Sequence, residues 1–231
     1  MFNFIKNILA PKKCYSCGQE WHFLCPKCMS KMSTFESICY VCKRKSIKFS
    51  IHYNCQKLIV LDKIIILTHY KQKLIKKLIK DAKYYYKKDI LEDFSIYLSK
   101  LLLENIENKN IDNYILVPMP MYYFRKWQRW YNQSEVLAKN IWKITKIMIN
   151  NNLIKRVKNT RQQSKLSKKE RLKNLTNAFK INKNLVDKID KNKIIIIVDD
   201  VISTWTSINS IAKLLKDYWF KNVIWLIIAS D

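Results

Sequence analysis

The sequence predicts an α/β protein: a mainly parallel sheet with helices on both faces, preceded by a small cysteine-rich module. Three observations predict it. All seven cysteines fall before residue 56, six of them in C-x-x-C pairs. After them, short apolar runs alternate with stretches whose apolar residues recur at helical spacing, the pattern of strands joined by crossover helices. One run, residues 194–198, ends in Asp199 and Asp200 and leads into Ser203, Thr204, Trp205, Thr206 and Ser207.

Taken in order, residues 1–10 read as a short amphipathic helix leading to the first cysteine. Residues 1–58 form a module too small for an apolar core of its own, so a metal must hold it together. A second domain spans 59–231. Residues 59–67 predict its first strand. Residues 70–103 predict two helices with a break near 84–87, carried by Leu74, Ile75, Leu78 and Ile79, then by Ile90, Leu91, Phe94 and Leu98. Residues 114–117 read as a short buried strand ending at Pro118, and 132–149 as a helix. Residues 150–177 are basic and polar and predict a mobile loop with a short helix. Residues 193–198 form a buried strand of parallel type, 207–218 a helix and 222–229 the last strand. No internal repeat shows beyond the cysteine pairs.

The chain has 231 residues, 48% of them hydrophobic, enough for one medium α/β core plus an appendage. No apolar run nears the ~20 residues of a membrane span. The N-terminal stretch is too short and weakly patterned for a secretory signal, so a cytoplasmic protein with reduced cysteines is expected. The formal net charge of +26 attracts polyanions such as nucleic acid or phosphates. Compositional drift is the alternative source of that charge, since Lys, Ile and Asn abound throughout.

The metal ligands are Cys14 with Cys17, Cys25 with Cys28, Cys39 with Cys42, and His52 with Cys55. A two-residue spacing lets both side chains of a pair reach one ion, and Zn²⁺ takes four such ligands tetrahedrally. Eight ligands make two closed structural sites. The spacing does not reveal which pairs share an ion. A surface role for His52 is the alternative there, and an iron–sulfur cluster or redox dithiol is the alternative to zinc.

At the other end of the chain, a buried strand delivers Asp199 and Asp200 at its C-terminal end, where ligands of open α/β sheets bind. Adjacent carboxylates can accept hydrogen bonds from a sugar diol. The hydroxyls of Ser203, Thr204, Thr206 and Ser207, with the amides of a helix N-terminus, can hold a phosphate. A strand end followed by an ordinary helix cap is the alternative.

This stretch resembles the signature of type I phosphoribosyltransferases, which bind 5-phosphoribosyl pyrophosphate (PRPP): an apolar strand, two acids, then T-T-G-x-T. Nearly the whole chain is similar to the ComF family of competence-associated, phosphoribosyltransferase-like proteins, which pair a double zinc ribbon with that domain. Tyr70 and the stretch from Leu78 through Lys83 resemble the family's early tyrosine and lysine-bearing helix. Val117, Pro118, Met119 and Pro120 resemble its V-P-x-P loop, where pyrophosphate sits. Arg125 and Arg129 through Gln133 resemble R-x-x-x-R-G-F-N-Q. Thr160, Gln163 and Leu166, then Arg171, Asn174, Ala178 and Phe179, match a later segment. The resemblance implies a type I phosphoribosyltransferase-like sheet and a PRPP site with Asp199 and Asp200 at its centre. Pro118, Arg125, Arg129 and residues 203–207 would line that site, and Mg²⁺ would accompany the ligand. Lys168, Lys169 and Arg171 would sit on a segment able to close over it, a solvated basic face being the alternative for the lysines. The resemblance also implies a role in DNA uptake, with single-stranded DNA and competence helicase proteins as partners. Transferase activity and a non-catalytic nucleic-acid-binding role both remain open.

The chain departs from the family at glycine. It has one, Gly18, where average usage of about 7% would give roughly sixteen. Trp130 and Trp205 stand where the motifs carry glycine, and Trp219 stands where glycine ends the helix before the last strand. Trp21 occupies another turn. A gene in which UGA encodes glycine, translated with a table that reads UGA as tryptophan, would produce this pattern. The rival reading is a degenerate phosphoribosyltransferase fold.

Overall fold

The computed structural model describes residues 11–85, 87–158, 178–202 and 205–231. The expected helix at 1–10, the motif residues from Thr160 to Asn174, and Ser203 and Thr204 lie outside the described residues.

The strands are β1 (Lys63–His69), β2 (Tyr114–Pro118), β3 (Ile154–Arg156), β4 (Phe179–Ile181), β5 (Ile194–Val201) and β6 (Val223–Ser230). The helices are α1 (Pro26–Met29), α2 (Lys73–Tyr84), α3 (Ile90–Asn105), α4 (Tyr123–Arg129), α5 (Gln133–Thr145), α6 (Lys183–Val186) and α7 (Trp205–Asp217). Four strands make one parallel sheet in the order β1-β6-β5-β2, and β3 pairs antiparallel with β4 in a separate ribbon. Isoleucine-rich runs suit these strands because β-branched side chains pack well on a pleated surface. All eight residues of β6 are buried, as in a strand covered on both faces. Helices α3 and α5 pack on each other and on the sheet, while α7 packs on β6 and β4. In α2 the buried residues are Ile75, Leu78, Ile79 and Ala82, the i, i+3, i+4, i+7 stripe of a helix facing a core. No helix among the described residues is long and apolar enough to cross a membrane.

Three expectations shift. The first strand begins at Lys63 rather than at 59, although Ile59 and Leu61 are buried. Asp62 sets that start: its carboxylate accepts from Val223 N at 2.7 Å and from Lys216 Nζ at 2.9 Å. The expected 132–149 helix ends at Thr145, because Lys146 turns left-handed at φ 63 and donates its N–H to Trp142 O. The chain then runs along the edge of β2, where Leu116 exchanges hydrogen bonds with Met148 and Asn150, both at 2.8 Å. The stretch expected as a loop from 150 carries β3.

The N-terminal module packs on the outer strand β1. Phe35 N donates to Leu67 O at 3.2 Å and Ile51 N to Asp62 O at 2.9 Å. The buried Asp93 carboxylate on α3 accepts from Phe23 N at 2.6 Å and Leu24 N at 3.0 Å. An edge strand is thereby covered, which removes a template for unwanted pairing.

Candidate metal centres and a candidate anion-binding cavity

The eight ligands gather as two sets of four: Cys14, Cys17, Cys25 and Cys28, and Cys39, Cys42, His52 and Cys55. Within each set the ligand atoms lie within 4.8 Å of one another. Thiolates held about 2.3 Å from a tetrahedral zinc stand roughly 3.8 Å apart, so each set can hold one zinc ion. Sequence left the pairing open, and folding joins neighbouring pairs. His52 belongs with the ligands: its Nδ1 is 3.3 Å from Cys42 Sγ, and its Nε2 is 3.2 Å from the Lys45 carbonyl oxygen. A backbone acceptor behind the far nitrogen orients a metal-binding imidazole.

The two sets begin alike. Gly18 N returns to Cys14 O at 2.9 Å and Lys43 N to Cys39 O at 2.8 Å. Cys14 N bonds Gln19 O and Cys39 N bonds Arg44 O, each at 2.8 Å. This is a structural repeat beyond the cysteine spacing. Gly18 adopts φ 75 and Lys43 φ 60 at the equivalent step.

The second site is a cavity of about 480 Å³ at the C-terminal ends of β2 and β5. Asp199 and Asp200 are among its lining residues. Asp199 Oδ1 accepts from Ser134 Oγ at 3.1 Å and from Asp200 N at 2.9 Å. Ser134 is placed by the start of α5, where the Asn132 side chain caps Ser134 N at 3.1 Å and donates from Nδ2 to Met119 O at 2.9 Å. One asparagine thus ties the loop after β2 to the helix that supports Asp199. Burial, then the charge of Asp200, pushes the Asp199 carboxyl up to about 7. Asp200 pairs with Lys83 Nζ of α2 at 2.9 Å. Burial opposes the Lys83 charge, but Asp200 and then Asp199 outweigh it, and the ammonium is held above its usual range.

Arg125 and Arg129 of α4 and Arg156 of β3 line the same cavity. Arg129 Nη2 is 3.3 Å from the Tyr84 hydroxyl, and its guanidinium lies 5.1 Å from that ring's centroid. Burial and then Arg129 lower the Arg125 pKa. Burial and then Arg125 lower that of Arg156 to about 10.

Among the sequence-predicted site residues, Asp199, Asp200, Arg125, Arg129 and Ser207 line this cavity. Pro118 ends β2 at its rim, and the lining comes from its neighbours Met119 and Pro120. Trp205 and Thr206 open α7 beside Ser207. Lys83, Ser134 and Arg156 also line it and were not assigned to the site from sequence. Lys83 stood in a matched helix with nothing to show that it reached Asp200. For Arg156 the available signal was strand-like alternation: Ile154 and Arg156 pair across the ribbon with Ile181 and Phe179.

Three tryptophans occupy the left-handed backbone region: Trp21 (φ 77), Trp130 (φ 64) and Trp219 (φ 70). They are 58%, 77% and 78% exposed, so no packing gain offsets the strain. After α7, Phe220 N bonds Leu215 O and Trp219 N bonds Lys216 O, the helix-ending motif whose left-handed residue is usually glycine. Trp225, by contrast, is fully buried in β6.

No protein-family model matches the chain. Among curated proteins it is similar to Competence protein F of Haemophilus influenzae, 40% identical over 105 residues, which are 44% of this chain and 43% of that protein. It is also similar to DNA utilization protein YhgH of Escherichia coli K12, 30% identical over 100 residues, 43% of this chain and 42% of that protein. The Salmonella typhi protein of the same name is 32% identical over equal shares. The matches span less than half the length of these relatives.

Proposed function

On the premise that the chain belongs to the ComF family, an assignment these relatives support, we propose that it binds PRPP with Mg²⁺ in the cavity at Asp199 and acts in DNA uptake in the cytoplasm. The observation that carries this is the cavity itself. Two acids and three arginines line one cavity at the carboxyl ends of parallel strands, where such folds place their ligands. The ribose diol donates to the carboxylates of Asp199 and Asp200. Pyrophosphate oxygens meet Arg125 and Arg129, whose planar forks suit phosphate. The 5′-phosphate would meet the hydroxyls of Thr206 and Ser207 at the start of α7, while Ser203 and Thr204, expected from the sequence to join them, lie outside the described residues. Mg²⁺ would enter with the ligand beside Asp199 and Asp200 and would offset the charge of the pyrophosphate. In a transfer reaction a bond would form between the anomeric carbon and an acceptor nucleophile as the bond from that carbon to pyrophosphate breaks, and pyrophosphate would leave as the free anion. The residues present would contribute position and charge, with no side chain acting as nucleophile.

Titration of the protein with PRPP and Mg²⁺ by calorimetry tests the reading. Saturable binding at micromolar concentration is expected. Absence of heat at millimolar ligand would leave the non-catalytic reading in its place.

One observation favours a nucleic-acid partner as well. On α4, exposed Tyr123, Phe124 and Trp127 interleave with Arg125, Lys126 and Arg129. Rings that stack on bases, set among cations that meet phosphates, suit single-stranded DNA. Affinity for an oligothymidine should fall steeply as salt rises. Affinity that stays level between low and physiological salt would rule this surface out. Competence helicase proteins are the partners such a role would bring.

A further inference from the structure

The β3–β4 ribbon stands apart from the main sheet, and its strands are three residues each. It nevertheless sends one long side chain into the cavity, that of Arg156. The guanidinium is steadied from its own ribbon. Arg156 pairs in register with Phe179, and its guanidinium lies 5.5 Å from that ring's centroid, within the range of cation–π attraction. Arg125 lines the same cavity, and each of the two guanidinium groups is partly withdrawn from water. The charge of Arg125 is one reason the Arg156 pKa falls. Like charges gathered in a half-buried wall work against folding. A polyanion between them would reverse that sign.

We propose that Arg156 is a third phosphate-binding guanidinium of this cavity and that, with Arg125, it grips the pyrophosphate end of the ligand. The inference rests on the phosphoribosyl reading above and adds a residue from an element outside the parallel sheet. Position selects the end. The 5′-phosphate belongs at the start of α7 with Ser207, whereas Arg156 lines the cavity with Arg125 and feels the charges of both Arg125 and Asp199. The ribbon then acts as a side wall that supplies charge, and Phe179 acts as the positioning residue behind it.

The test uses inorganic pyrophosphate and ribose 5-phosphate as separate probes, each with Mg²⁺, titrated into the full chain and into Arg156→Met. Pyrophosphate affinity should drop at least tenfold, equivalent to about 1.4 kcal/mol, while ribose 5-phosphate affinity stays within about twofold, under half that energy. Equal weakening of both probes, or unchanged pyrophosphate binding, overturns the assignment. Should Arg156→Met fail to fold, Arg156→Lys carries the test. It keeps a point charge but loses the fork, so it should weaken pyrophosphate selectively, and unchanged binding would again overturn the assignment. If the wild-type chain binds neither probe nor PRPP, the phosphoribosyl reading itself fails and this inference goes with it. Binding by the wild type that Arg156→Met leaves intact sinks the inference alone.

Discussion

In the N-terminal module, eight ligand side chains spread over residues 14–55 gather into two sets that ions can close. In the sheet, eight consecutive residues of β6 are buried with no charged side chain among them. One region offers metal ligands at a few points, and the other is buried along its whole length. The seam between them uses neither device alone. It is made of backbone hydrogen bonds from Phe35 and Ile51 to β1 and its approach, the Asp93 clasp, and a Tyr40–Ser230 hydroxyl pair at 2.7 Å. The difference teaches that the module has two points that ions can close and that it also covers the sheet's edge.

Metal removal should show the largest effect. Structural zinc contributes on the order of 10 kcal/mol to small metal-held domains, so a chelator should unfold the module. Because the module covers β1, hydrogen exchange should accelerate in residues 63–69 as well as in 11–58, while β5 stays protected. Exchange in β1 that ignores the chelator would show the two regions to be independent.

The next effect lies at the mouth of the sheet. Asp200→Asn leaves the largely buried Lys83 without its carboxylate, and breaking such a pair costs about 3 kcal/mol. Chemical denaturation should report the loss, and an unchanged midpoint would mean that water already screens the pair.

Smaller gains are expected at the strained turns. A non-glycine residue in the left-handed region costs roughly 1 kcal/mol, so Trp130→Gly and Trp219→Gly should each raise Tm by about 2–4 °C. Trp225→Gly should lower it sharply, since that side chain is fully buried. Peptide mass spectrometry of the protein from its own cells would then sharpen the point. Glycine at 130, 205 and 219 is the result the recoding account predicts, and tryptophan at 205 sinks it.

Much of this was legible in the sequence. The ligand spacings named all eight candidate ligands, because a metal knuckle is a local device. The acid pair was legible because a strand end is local too. The Lys83–Asp200 pair was not: α2 and β5 are distant in sequence, and nothing near Asp200 announces its partner. That ion pair relieves part of the repulsion between the adjacent acids. Arg156 was hidden for a related reason. A three-residue strand carries little periodicity, and its partner lies beyond an intervening basic stretch. Glycine positions were legible only through the departures of Trp130 and Trp219 from expected motifs, and their backbone angles give those departures a physical meaning.

The central claim is that the charge of Asp199 exists to meet a ligand. Asp199→Asn keeps an acceptor for Ser134 and for the Asp200 amide while removing that charge. The folded carboxyl titrates near 7, pushed up by burial and then by Asp200, against about 3.9 in an unfolded chain. The native state therefore binds the extra proton, and stability is lost as pH rises from about 4 to about 7. Asp199→Asn should be more stable than wild type at pH 8 and should flatten that slope. Calorimetric titration of Asp199→Asn with PRPP and Mg²⁺ at pH 8 is the direct measurement. The account predicts a well-folded protein whose PRPP affinity has fallen at least a hundredfold, about 2.7 kcal/mol. Wild-type affinity in that variant would contradict it.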